Sequence, residues 1–168
     1  SKEIARRLTT GRLVCIDQDL AAIRAAEELL APWRDRVTLV HGNFSDLADI
    51  LRRAEISGAD GALFDLGVSS PQLDDASRGF SYMQDAPLDM RMDGTAALTA
   101  REVVNTWSCE ELRRILYEYG EERYAPAIAR AIVRTREERP VETTLELVEI
   151  IRGVMPPAGL REKQHPAK

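Results

Sequence analysis

The stretch LVCIDQDLAAIRAAEELL, residues 13–30, decides the fold class. Leu13 to Ile16 is an unbroken apolar run of strand length, and Leu20, Ile23, Ala26, Leu29 and Leu30 then recur at helical spacing. The stretch reads as a strand delivered into a helix. Working outward, Val37 to Val40 is a second short run, Leu47 to Leu51 begins a second helical pattern, and Gly61 to Leu66 is a third strand candidate. Apolar runs that do not alternate in polarity, separated by helices and short connections, predict a parallel sheet covered on both faces, the doubly wound α/β arrangement.

Beyond Leu98 the acidic residues change character. Twelve Asp and four Glu precede that point, whereas no Asp and twelve Glu follow it. Asp competes for backbone hydrogen bonds and favours caps and strand ends, while Glu is at ease in helix interiors, so the back half is expected to be helical. Thr99 with Glu102, Ser108 with Glu111 and Thr143 with Glu146 each fit the capping box that satisfies orphan amides at a helix start. Four helices are predicted, near residues 100–106, 109–119, 124–138 and 144–154, with Gly120 ending the second in the left-handed conformation. Between the halves, residues 67–95 are rich in Asp, Gly, Ser and Pro, too long for an ordinary connection and hence read as a functional loop.

The chain has 168 residues, 44% apolar and 30% charged, enough for one sizeable core and hardly two. A net charge of −5 advertises neither nucleic acid nor an anionic membrane, so any such partner must be met locally. No apolar run reaches the roughly 20 residues of a bilayer span, and no secretion signal opens the chain, so a cytoplasmic location without membrane contact is expected. Two cysteines and two histidines, Cys15, Cys109, His41 and His165, predict no metal cluster.

In a doubly wound sheet ligands bind beyond the carboxyl ends of the strands. The residues there are Asp17, the stretch His41 to Ser45, and Asp65. A carboxylate so placed can accept from both hydroxyls of a ribose; alternatively Asp17 or Asp19 only caps the next helix. Phe44 offers an aromatic face that could stack on a purine or could pack in the core. Asp65 opens DLGVSSPQLDD, a run of turn formers too polar for a core, where Gly67 allows close backbone approach, Ser69 and Ser70 supply hydroxyls, and Pro71 stiffens the turn.

Asp65 to Asp93, DLGVSSPQLDDASRGFSYMQDAPLDMRMD, resembles the signature of the bacterial 16S rRNA cytosine-N4 methyltransferase family, known as RsmH or MraW. HGNFSDL at residues 41–47, IDQD at 16–19, YGEERYAPAIARAIV at 119–133 and HPAK at 165–168 are similar to the same family. The resemblance implies a partial class I, Rossmann-like, mostly parallel α/β sheet with an inserted all-helical subdomain. Residues 1–98 would be the methyltransferase part, including the 67–95 active-site loop, and residues 99–168 the helical insertion that recognises RNA. It implies S-adenosylmethionine as cofactor, held by Asp17 at the ribose, Phe44 beside the adenine, and Asp65 and Gln72 near the methionine end. The implied substrate is a cytidine of 16S rRNA in the small ribosomal subunit, with homodimerisation as a further expectation. A glycine-rich loop ending Gly-Gly-His and a first strand would precede Ser1 in such a protein, and an Arg-Thr-Phe-Gln stretch would follow Lys168, so the chain is expected to be an internal piece.

The amino nitrogen of cytosine is a poor nucleophile because its lone pair is delocalised, so the task is alignment plus an acceptor for an amino hydrogen. Asp65, or an oxygen of the turn at Ser70, is the candidate acceptor. A base lifted from its stack needs a lined pocket, for which Phe80, Tyr82 and Met83 are candidates. Arg78 and Arg91 are placed to hold phosphates and Asp89 to read an amino edge; the alternative is an Asp–Arg network that braces the loop. Residues 123–139 carry five Arg against Glu137 and Glu138, with Arg130 and Arg134 one turn apart, either an RNA-docking face or a solvated surface with internal ion pairs. Two other functions suit the residues less well: a nicotinamide-dependent oxidoreductase using Asp17, and a non-catalytic RNA-binding or dimerisation module.

Overall fold

In a computed structural model, residues 1–156 are described, and they divide into two compact units. The first comprises residues 1–66 together with Met92–Thr95; the second comprises Gly67–Arg91 and the residues from Ala96 onward. The HPAK motif lies outside the described residues. Among those described, no helix is long and apolar enough to cross a membrane.

The first unit runs α1 (Lys2–Arg7), β1 (Leu13–Asp17), α2 (Leu20–Leu30), β2 (Val37–His41) and α3 (Leu47–Arg53). β1 and β2 pair in parallel, Leu13 opposite Val37 through Asp17 opposite His41. That is the strand–helix–strand unit expected from the unalternating apolar runs. Ile23, Leu30 and Ile50 are buried, but the strands themselves are only half-buried, so the expected cover on both faces is incomplete. The third strand candidate also fails to form: Gly61 to Leu66 is not in a ladder, and Leu63 and Leu66 are 78% and 66% exposed. A strand exists only through its neighbour's amides and carbonyls, and this segment has no ladder partner among the described residues.

The second unit contains α4 (Ser70–Asp74), α5 (Ala100–Thr106), α6 (Cys109–Glu118), α7 (Ala125–Glu138) and α8 (Thr144–Val154). The capping chemistry explains these boundaries. Ser108 and Glu111 form a reciprocal box, as do Thr143 and Glu146; at Thr99 the hydroxyl accepts from the Glu102 amide at 3.1 Å. Leu112, Ile128, Ala129, Ile132, Val141 and Ile151 form the apolar core, joined by Leu88 from the loop. Gly120 does not take the left-handed conformation; Glu121 does, at φ 51°. Glycine at 120 answers a different need, since a Cβ there would lie 2.7 Å from the Leu116 carbonyl oxygen.

The 67–91 part of the loop is woven into this unit rather than hanging from it. Thr144 Oγ1 donates to the Gln84 carbonyl at 2.6 Å and accepts from the Ala86 amide at 3.1 Å, and the Thr144 amide donates to the Ala86 carbonyl. The Leu88 amide donates to the Glu142 carbonyl, and the Arg101 and Ala100 amides donate to the Leu88 and Asp89 carbonyls. These bonds bury Leu88 to 2% exposure.

Candidate functional site

The tips of β1 and β2 carry the first group of candidate residues. Asp19, buried and accepting from the Ala21 amide at 2.9 Å, is the cap of α2. Asp17 is exposed; its Oδ1 accepts from the Asp19 amide at 2.8 Å, and its Oδ2 is without a partner among the described residues. Asp19, and not Asp17, therefore caps α2, while Asp17 is exposed with one carboxylate oxygen without a partner among the described residues.

Phe44 begins a single 3-10 turn, Phe44–Asp46, capped by Asn43, whose Oδ1 accepts from the Ser45 amide at 3.0 Å. Phe44 is 51% exposed, so it is not a core residue. Its aromatic contact is Phe64, edge to face at 6.2 Å between centroids and 83° between planes. An edge contact leaves ring surface available to a second aromatic group. The same contact brings the extended 61–66 segment, and with it the exposed Asp65, beside the loop that follows β2.

Sequence reasoning missed Gln18, Asn43, Met92 and Asp93. Gln18 Oε1 accepts from Asn43 Nδ2 at 3.2 Å while its Nε2 donates to Met92 Sδ at 3.1 Å. His41 Nε2 lies 3.0 Å from the Gln18 carbonyl oxygen and 3.8 Å from Asp93 Oδ1. The IDQD motif flagged the neighbourhood, but a partner 74 residues away leaves no signal in local spacing.

The second unit holds the remaining candidates. Gln72 is buried, and its Oε1 accepts from the Ser69 amide at 2.9 Å, which makes it a member of the capping box of α4. Ser70 is the exposed first residue of that helix. Arg91 grips Asp89 through two guanidinium bonds, Nε to Oδ1 at 2.9 Å and Nη2 to Oδ2 at 2.7 Å, and its own amide also donates to Asp89 Oδ1. Arg78 donates to the Arg91 carbonyl at 3.0 Å and lies over the Phe80 ring at 5.8 Å. This is the bracing network of the two alternatives, and the Arg91 guanidinium holds the Asp89 carboxyl below its usual range against the opposing effect of burial. Phe80 and Tyr82 line a small cavity with Met90, Leu147 and Val148. Met83 does not line it: its amide donates to Ser81 Oγ in a turn that leaves the side chain 74% exposed.

On α7, Ile128, Ala129 and Ile132 face the core, while Arg130 and Arg134 are exposed and have no ion-pair partner among the described residues. Their neighbours are engaged, Arg136 with the Val104 carbonyl and Arg139 with Glu146. The expected internal ion pairs therefore bypass these two. No group of three or more His, Cys, Asp or Glu among the described residues is arranged to hold a metal ion.

The model of one family, described as the MraW methylase family, matches residues 1–168. Proteins named ribosomal RNA small subunit methyltransferase H are similar throughout: that of Symbiobacterium thermophilum is 55% identical over 99% of this chain and 52% of its own length. Those of Brevibacillus brevis and Exiguobacterium sibiricum are 53% and 52% identical over 100% of this chain and 54% of their own length. The chain spans about half the length of the curated relatives it matches.

Proposed function

Because the chain belongs to the MraW methylase family, we propose that it is part of an S-adenosylmethionine-dependent enzyme that methylates N4 of a cytidine in 16S rRNA of the small ribosomal subunit. The observation that carries this is the division of labour at the strand tips. Asp19 satisfies the helix, which leaves Asp17 an oxygen without a partner among the described residues, and Phe44 stays half-exposed a few residues beyond the paired tip of β2. An acceptor and an aromatic face are what a nucleoside needs for its ribose hydroxyls and its base.

When bound, S-adenosylmethionine supplies a sulfonium methyl that is already activated. The chain's own residues then do the positioning. Asp17 accepts from the ribose and Phe44 stacks on the adenine, fixing the nucleoside. Asp65, exposed beside Phe64, accepts a hydrogen from the cytosine amine and so localises the nitrogen lone pair, with the turn at Ser70 as the second source of an acceptor. Gln72 supports this turn from its buried capping position, and in this proposal it shapes the methionine end. Phe80 receives the extruded base, Arg78 and the Asp89–Arg91 pair brace the loop that presents it, and Arg130 and Arg134 dock flanking RNA. Residues 99–168 in this proposal form the RNA-recognition subdomain of the methyltransferase part at 1–98.

The test uses the full-length gene product. Asp17→Ala is expected to weaken S-adenosylmethionine binding in calorimetry, and Asp65→Asn to fold normally, bind cofactor and lose methylation of isolated small subunits. Undiminished turnover by Asp65→Asn removes it from the acceptor role. Salt-dependent RNA binding by the unmodified protein, without cofactor binding or methyl transfer, favours the non-catalytic module.

A further inference from the structure

We propose that Gln18 is a positioning residue for the nucleoside half of the cofactor site, coupling the turn at Met92–Thr95 to Asp17 and Phe44; this rests on the cofactor site proposed above. Gln18 is half-buried between exposed Asp17 and buried Asp19, and both ends of its carboxamide are used. Oε1 accepts from Asn43 Nδ2, Nε2 donates to Met92 Sδ, and the main-chain oxygen meets His41 Nε2.

Each partner holds something further. Asn43 caps the turn that begins at Phe44. His41 is the register partner of Asp17 and lies 3.8 Å from Asp93. Asp93 Oδ1 organises the 92–95 turn by accepting from the Thr95 amide at 2.8 Å and from its hydroxyl at 2.7 Å. Gln18 thus bonds both the Phe44 cap and the 92–95 turn, one residue from Asp17.

A carboxamide has a donor end and an acceptor end, and it satisfies two partners in only one orientation. A thioether accepts hydrogen bonds but cannot donate them, so Met92 selects the orientation that turns Oε1 toward Asn43. Without the sulfur Nε2 loses this partner, so the carboxamide is held less firmly and its bond to Asn43 is less well aligned. Asn43 then holds the turn that begins at Phe44 less rigidly. The thioether bond is weak in itself; its effect is orientational and falls on the placement of Phe44 relative to Asp17. The consequence belongs to the nucleoside and not to the methionine moiety.

The test compares the full-length gene product with Gln18→Leu, Met92→Leu and the double variant, using calorimetric titration with S-adenosylhomocysteine and with adenosine. Gln18→Leu is expected to weaken both ligands by the same factor, about tenfold, corresponding to two ordinary hydrogen bonds lost in part. Met92→Leu conserves volume and therefore folds, and is expected to weaken both by a smaller factor. The double variant is expected to be no worse than Gln18→Leu alone, because both act through one carboxamide. Unchanged affinity in both single variants, a loss for S-adenosylhomocysteine that spares adenosine, or additive losses would each overturn the proposal. A parent protein that binds neither ligand refutes the cofactor site itself, which separates the two failures.

Discussion

Thr144 offers a sharp test of how the loop is held. Thr144→Val keeps the branched shape and removes only the hydroxyl, which donates to the Gln84 carbonyl at 2.6 Å and accepts from the Ala86 amide at 3.1 Å. The two losses differ in size. Gln84 is exposed, so water can replace the lost donor at a cost of about 0.5–1 kcal/mol. Ala86 is 7% exposed, and its amide left without an acceptor costs about 1–3 kcal/mol. The sum, about 1.5–4 kcal/mol, corresponds to roughly 10- to 1,000-fold more frequent opening of residues 84–88, readable as hydrogen exchange of the Ala86 and Leu88 amides. Thr144→Ser keeps the hydroxyl and loses a methyl, costing about 1 kcal/mol. Serine should therefore protect the loop better than valine although valine matches the native shape. The opposite order, or exchange unchanged in Thr144→Val, would show that packing of Leu88 and not the hydroxyl holds the loop.

Three further outcomes follow from the second unit. Gly79→Ala places a Cβ 2.4 Å from the Pro87 carbonyl oxygen at φ 70°, so it should destabilise by more than about 2 kcal/mol in urea titration; a shift under about 0.5 kcal/mol would contradict the backbone packing. Asp89 has its carboxyl lowered by Arg91, so its contribution is complete above the unfolded value near 3.9 and is lost as pH falls through the folded value. The Arg91 Nε–H resonance should report an acid step that Asp89→Asn abolishes, and persistence of that step would assign it elsewhere. Replacing Arg130 and Arg134 with Ala should reduce the slope of log affinity for single-stranded rRNA against log salt by about 1.4 if each meets one phosphate; an unchanged slope would remove them from the RNA surface.

The α5 to α8 helices were legible because capping and periodicity act over three or four residues. Thr99, Ser108 and Thr143 start their helices where the sequence placed them, for reasons contained in the next turn of chain. The β1–α2–β2 unit was legible for a related reason, since an unalternating apolar run states its need for cover whatever supplies it. Residues 61–66 make the same statement, yet a strand needs a neighbour's ladder, and that condition is not local.

At the site, residue chemistry alone singled out Asp17 at a strand end, Phe44 just beyond one, and Asp65, whose expected strand does not form. Only the tertiary structure divided capping from exposure between Asp17 and Asp19, opened the Phe44 ring, gave Asp89 to Arg91, and tied Gln18 to Met92. The physical reason is one of range. Propensity, capping and amphipathicity are sums over neighbouring residues and can be read along the chain. Which of two carboxylates is left without a partner depends on what folding brings to within about 3 Å, and that is set by contacts across dozens of residues.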